Sequence, residues 1–180
     1  MHERAPHMIE RPKCLRALEL ALENNPVGVL LGPRQCGKTT IARQLAGRQR
    51  SVFFDLETVS DRAKLQQPEL LLGGLKGLVV IDEVQRMPEL FSVLRPMADR
   101  PESDTRFLLL GSASPTLVKG VSESLAGRAG FVDLGGFELQ DVGDDRMERL
   151  WVRGGFPRSF LAKSEAVSSE WRRDFIRTFL

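Results

Sequence analysis

Gly32, Gly37, Lys38 and Thr39 are the residues of this 180-residue chain whose types and spacing imply a definite chemistry, the holding of a phosphate chain. The stretch Gly32-Pro33-Arg34-Gln35-Cys36-Gly37-Lys38-Thr39 meets every fixed position of G-x-x-x-x-G-K-[ST], the Walker A pattern. Without a Cβ, the two glycines let the backbone turn its N–H groups inward on an anion. A helix opening near Gly37 adds unpaired N–H groups and roughly half a positive charge at its N-terminus. Lys38 then reaches the β- and γ-phosphates, and the hydroxyl of Thr39 is placed to ligate a Mg²⁺ that bridges them.

A second pair of chemical groups is Asp82-Glu83, which ends the apolar run Leu78-Val79-Val80-Ile81. Such a run suits a strand buried on both faces, so its last polar residues fall at the carboxyl edge of a sheet, where α/β sheets bind ligands. This is a Walker B pattern. Asp82 is expected to hold Mg²⁺ through a hydrogen-bonded water and Glu83 to polarise a water for attack on the γ-phosphate. Read alone, the two acids could equally end a strand or cap the next helix. After the strand at 106–110, Ser112 could sense the γ-phosphate or orient that water, or it could serve as a helix cap. Ser114, followed by Pro115, is the better N-cap and N1 pair.

The elements that must position these groups follow from periodicity. Leu15, Leu18 and Leu22 give an amphipathic helix over 11–23, stopped by Asn24-Asn25-Pro26. A strand at 27–31 leads into the glycine loop and a helix to about Gly47, the strand–loop–helix context that the motif requires. A second strand is predicted at 51–56, a helix over 61–72 interrupted by Pro68, and the third strand at 78–83. Then come a helix over 89–100, the strand at 106–110, a helix over 115–126 and a fifth strand at 131–134. Beyond Gly135-Gly136, helices over 144–153 and 164–180 flank a Gly154-Gly155-Phe156-Pro157 turn.

The composition is 42% hydrophobic and 28% charged with a net charge of +2, ordinary for a soluble domain and no argument for nucleic acid or membrane as a partner. No apolar run approaches the ~18 residues of a membrane span and no signal-type region follows the first residues, so a cytoplasmic location is expected. The two cysteines, Cys14 and Cys36, are too few for a disulfide framework. His2 and His7 with Cys14 make a poor metal site near a terminus.

Together with Phe54-Asp55-Leu56-Glu57, Ile81-Asp82-Glu83-Val84-Gln85, Gly111-Ser112-Ala113-Ser114 and Ser124-Leu125-Ala126-Gly127-Arg128, the glycine loop through Thr40 resembles the AAA+ ATPases. More narrowly, the chain resembles the prokaryotic AAA ATPases that join such a core to a C-terminal domain of unknown function. The resemblance implies an α/β P-loop NTPase fold, a three-layer sandwich around a parallel sheet of about five strands in the order 5-1-4-3-2. It implies a core over 1–136, including the helix at 11–23, and a helical linker or the start of a further domain over 137–180. It also implies ATP and Mg²⁺ as ligands, with Gly32 to Thr40 around the phosphates, Thr39 and Asp82 at the metal and Glu83 as base. Ser112 would be sensor 1, a position that is often Asn. Arg128 would be an arginine finger acting on the nucleotide of a neighbouring copy, with a plain salt bridge as the alternative. For sensor 2, Arg153 and Arg158 are both open.

Three functions stay in play: an ATPase, a P-loop kinase, and a nucleotide-gated interaction module with little hydrolysis. The absence of asparagine after the loop argues against the N-K-x-D base-reading motif of a GTPase. Glu83 directly after Asp82 favours activation of water over transfer to an acceptor.

Overall fold

Val27–Leu31 (β1) consists of aliphatic residues and one glycine, and all five of its residues are buried, as expected of a strand covered on both faces. In the computed structural model, which describes residues 9–101 and 103–179, β1 lies within a five-stranded sheet. The other strands are Ser51–Asp55 (β2), Gly77–Asp82 (β3), Thr105–Gly111 (β4) and Ala129–Asp133 (β5). All pairings are parallel and the order is β2-β3-β4-β1-β5, the expected 5-1-4-3-2 read from the other edge. His2 and His7 lie outside the described residues.

Pro12–Asn24 (α1) precedes β1, and the helices that return the chain between strands are Lys38–Ala46 (α2), Val59–Lys64 (α3), Pro68–Gly73 (α4), Leu90–Ala98 (α5) and Pro115–Ser124 (α6). The helix expected over 61–72 is two short helices. Pro68 cannot donate a backbone hydrogen bond and restricts the residue before it, so it takes the first position of α4 rather than continuing α3. One face of the sheet buries Val29, Val79, Ile81, Phe107 and Leu109 with Leu72, Leu90, Leu94, Leu117 and Val121 from α4, α5 and α6. On the other face Leu22 of α1 lies over Gly28, where an added Cβ would come within 3.0 Å of its side chain. Leu45 of α2 and Leu78 of β3 border the same small cavity as Leu22, which completes the third layer.

The described chain forms two compact units, Cys14–Leu134 and the segment from Gly135 onward together with the residues up to Lys13. The first residues of α1 group with the second of these units. That second unit contains Leu139–Val142 (α7), Met147–Arg153 (α8), Pro157–Phe160 (α9) and Glu165–Phe179 (α10). Buried Arg11 organises its start, donating to Asp141 Oδ2 at 3.0 Å and to the carbonyls of Gly135 and Gly136 at 3.0 and 2.8 Å. Gly136 and Gly155 touch backbone to backbone: a Cβ on Gly136 would stand 2.6 Å from the Gly155 carbonyl carbon. Among the described residues no helix is long and apolar enough to cross a membrane.

Candidate active site

In a parallel sheet every strand delivers its last residue to the same edge, and that edge collects Leu31, Asp55, Asp82 and Gly111. The loop Gly32–Gly37 leaves β1 there and doubles back into α2. Two left-handed residues shape the loop, Gly37 with φ 104° and Gln35 with φ 64°. Glycine takes that conformation without penalty, whereas Gln35 carries local strain of about 1–3 kcal/mol. Gly32 is needed for a different reason, since a Cβ there would stand 2.2 Å from the carbonyl oxygen of Leu134.

No side chain caps α2 at its N-terminus, so the first-turn N–H groups at Lys38, Thr39 and Thr40 face the loop without an intrahelical acceptor. This is the arrangement that suits a phosphate chain. Lys38 is buried, and its ammonium donates to the carbonyl oxygens of Gly32 at 2.9 Å and Pro33 at 3.0 Å. An ammonium has three N–H bonds, so the clasp holds Lys38 across the loop and leaves one for an anion. Arg34, Gln35 and Thr40 are exposed on the outside of the turn, and Cys36 is buried beneath it.

Opposite the loop, the hydroxyl of Thr39 donates to Asp82 Oδ2 at 2.6 Å, and the Glu83 backbone N–H donates to Asp82 Oδ1 at 2.9 Å. Burial pushes the Asp82 carboxyl above the ordinary carboxylate range, and nearby Asp55 adds to the rise. The hydrogen bonds from Thr39 and Glu83 and the charge of Lys38 oppose it. A carboxylate that is costly to ionise, touching a hydroxyl oxygen, is a donor set of hard oxygens that fits Mg²⁺, a cation that takes few protein ligands. Glu83 follows in a left-handed conformation, φ 54°, which breaks the strand and starts the 3-10 turn Val84–Arg86. Its carboxylate accepts a hydrogen bond from Gln85 Nε2. Ser112, the first residue beyond β4, reaches this edge too, while Ser114 caps α6 by accepting from the Leu117 N–H at 3.3 Å.

Arg128 does not join them. It immediately precedes β5 and thus stands at the opposite edge of the sheet, where its carbonyl accepts from Val27 N–H. Its guanidinium makes a bidentate pair with Asp99, at 2.5 and 2.9 Å. That pairing holds the Asp99 carboxyl below the ordinary range. Within the second unit, Arg153 is buried, and its guanidinium is taken up by Glu165 and the carbonyls of Phe160 and Ala162. Arg158 is exposed.

Two neighbours of the site had no role assigned from sequence. Asp55 sits in register beside Asp82, and the acidic end of its strand was the available signal. Gln85 lies in the stretch that carries Asp82 and Glu83, but its contact with Glu83 depends on a backbone turn that no residue type announces.

Residues 24–142 match the sequence profile of the AAA domain family. The chain is 50% identical over 173 residues to the uncharacterized proteins Rv2008c of Mycobacterium tuberculosis and Mb2031c of Mycobacterium bovis. That match takes in 96% of this chain and 39% of each relative, so the chain spans well under half of their length. An Fe(3+) ions import ATP-binding protein of Photorhabdus laumondii is 29% identical over 125 residues, 67% of this chain and 30% of that protein. Among solved structures, the Walker-type ATPase paby2304 of Pyrococcus abyssi superposes with a TM-score of 0.65 over 95% of this chain and 73% of that one. At 17% identity the likeness speaks to the fold.

Proposed function

The chain belongs to the AAA domain family, and from that premise we propose that it binds ATP with Mg²⁺ and hydrolyses the γ-phosphate. The observation that carries the reading is the contact of Thr39 Oγ1 with Asp82 Oδ2 at 2.6 Å, with Glu83 next in the chain. It draws the phosphate loop and the acid pair together at one point. Gly32 to Thr40 cradle the phosphates, through backbone N–H groups at every position but Pro33, and Lys38 neutralises charge on the β- and γ-oxygens. Thr39 and Asp82 would hold Mg²⁺, which would offset the negative charge of the phosphates. Glu83 takes a proton from the water that attacks the γ-phosphorus, giving ADP and inorganic phosphate. Ser112, at the end of the neighbouring strand, orients that water or the γ-phosphate. Because Arg128 stands at the far edge, a role for it on phosphate is open only across an interface with another copy.

Incubation with ATP and Mg²⁺, with no added acceptor, tests the proposal by release of inorganic phosphate. Strict dependence on an acceptor would instead favour a kinase. Tight ATP binding without release would favour a nucleotide-gated module.

A further inference from the structure

Gln85 is placed at a cost. Its carboxamide reaches back two residues to donate through Nε2 to Glu83, and this fixes which end is which, because a carboxylate can only accept. The other end, Oε1, is thereby turned toward β4. A Cβ on Gly111 would stand 2.9 Å from it, so the amide fits only because residue 111 is glycine. There Oε1 is buried and accepts no hydrogen bond among the described residues. A buried acceptor without a partner is destabilising, so Gln85 is not in this position for its own hydrogen bonding. What the placement achieves is a restraint on the Glu83 carboxylate, whose strained left-handed backbone already commits its direction.

We infer that Gln85 is a positioning residue for ATP hydrolysis: it clamps one oxygen of Glu83 and leaves the other aimed for the attacking water. The inference rests on the hydrolytic role of Glu83 proposed above. A base oriented by a third group is the general logic of an activated nucleophile, here water, Glu83 and Gln85 in sequence. Gln85 itself touches neither water nor phosphate in this scheme. Its loss therefore acts on the chemical step and not on nucleotide affinity.

The test is steady-state hydrolysis by Gln85→Met, which keeps the side-chain length and removes the N–H donor. The expected result is a fall in kcat on the order of ten- to a hundredfold, with KM for ATP unchanged. The thermal midpoint should stay level or rise, since the orphaned acceptor goes with the amide. Gln85→Ala carries the same kinetic expectation should the Met variant fold poorly. In a Glu83→Gln background, adding Gln85→Met should slow turnover no further, because the two residues act as a unit. Wild-type kcat in Gln85→Met, a rise in KM alone, or an additional loss in the double variant would each overturn the inference. A wild-type chain that binds ATP but releases no phosphate would overturn the hydrolytic reading, and this one with it.

Discussion

Thr39, in the first turn of α2, donates its hydroxyl hydrogen to Asp82 at the end of β3 over 2.6 Å, although the two residues are 43 positions apart in the chain. The contact joins the helix that follows the glycine loop to the strand that carries the acid, and a metal between them would find both oxygens already gathered. The first three predictions concern this point and the loop beside it.

Glu83→Gln should leave ATP affinity at the wild-type level and lower kcat by roughly 10²–10⁴, the usual contribution of a general base. The loop, Lys38 and Asp82 are untouched by the change. Calorimetric binding alongside phosphate release checks both halves, and undiminished turnover would remove Glu83 from its role.

Asp82→Asn should trade activity for stability. Burial raises the Asp82 carboxyl, so its ionised form is disfavoured in the folded chain. A group with a raised folded value contributes its stability at low pH and loses it as pH rises through that value. The amide removes the charge and keeps one acceptor, for Thr39 or for the Glu83 N–H but not both, which offsets part of the gain. The melting point of the variant should exceed that of wild type by roughly 2–4 °C for each kcal/mol recovered, with a wider gap at neutral than at acid pH. Mg²⁺-dependent turnover should be lost. A variant that melts lower at neutral pH would contradict this account.

Gly32→Ala should damage the loop itself, because the new methyl would lie 2.2 Å from the backbone oxygen of Leu134 and 3.0 Å from Cys36 Sγ. Overpacking of this kind costs about 1–3 kcal/mol. Reduced melting temperature and lost ATP binding are expected together; retention of both would show that the loop can shift at no cost.

Arg128 and Asp99 can be separated by mutation. If Arg128 serves a neighbouring copy, Arg128→Ala should lower specific activity by ~10³–10⁵ and abolish its rise with protein concentration, whereas Asp99→Ala should not. Equal, small effects of the two variants would reduce Arg128 to a surface ion pair.

The same pair has a pH signature. The Arg128 hydrogen bonds, against some desolvation, hold Asp99 below its ordinary value. Its stabilising contribution is therefore present above the unfolded value and fades as pH falls through the lowered one. Titration of the Asp99 carboxyl by NMR should move upward in Arg128→Ala; an unchanged titration would mean the pair does not form in solution.

Much of the fold was legible because its signals are contiguous. Apolar runs marked each of the strands, Pro68 marked a helix boundary, and Gly37 marked a turn that needs positive φ. Most boundaries shifted by a residue or two, the helix expected from 144 begins at Met147 after a 3-10 turn over Asp144–Arg146, and the short helices α7 and α9 were not anticipated, since four-residue segments carry no periodicity. Arg153, open as a sensor from sequence, is a buried arginine whose hydrogen bonds hold the turn after α8.

From its residues alone this chain determined a glycine loop of phosphate-binding pattern, an acid pair at a strand end and the alternation of strands and helices, because backbone constraints and strand burial are written in neighbouring positions; the strand order came from family resemblance. Only the tertiary structure decided that Asp55 stands beside Asp82, that Gln85 donates to Glu83 with its other end against Gly111, and that Arg128 faces Asp99 at the far edge of the sheet. Such contacts depend on which strands become neighbours and on how a side chain turns once they have, and no local pattern encodes either.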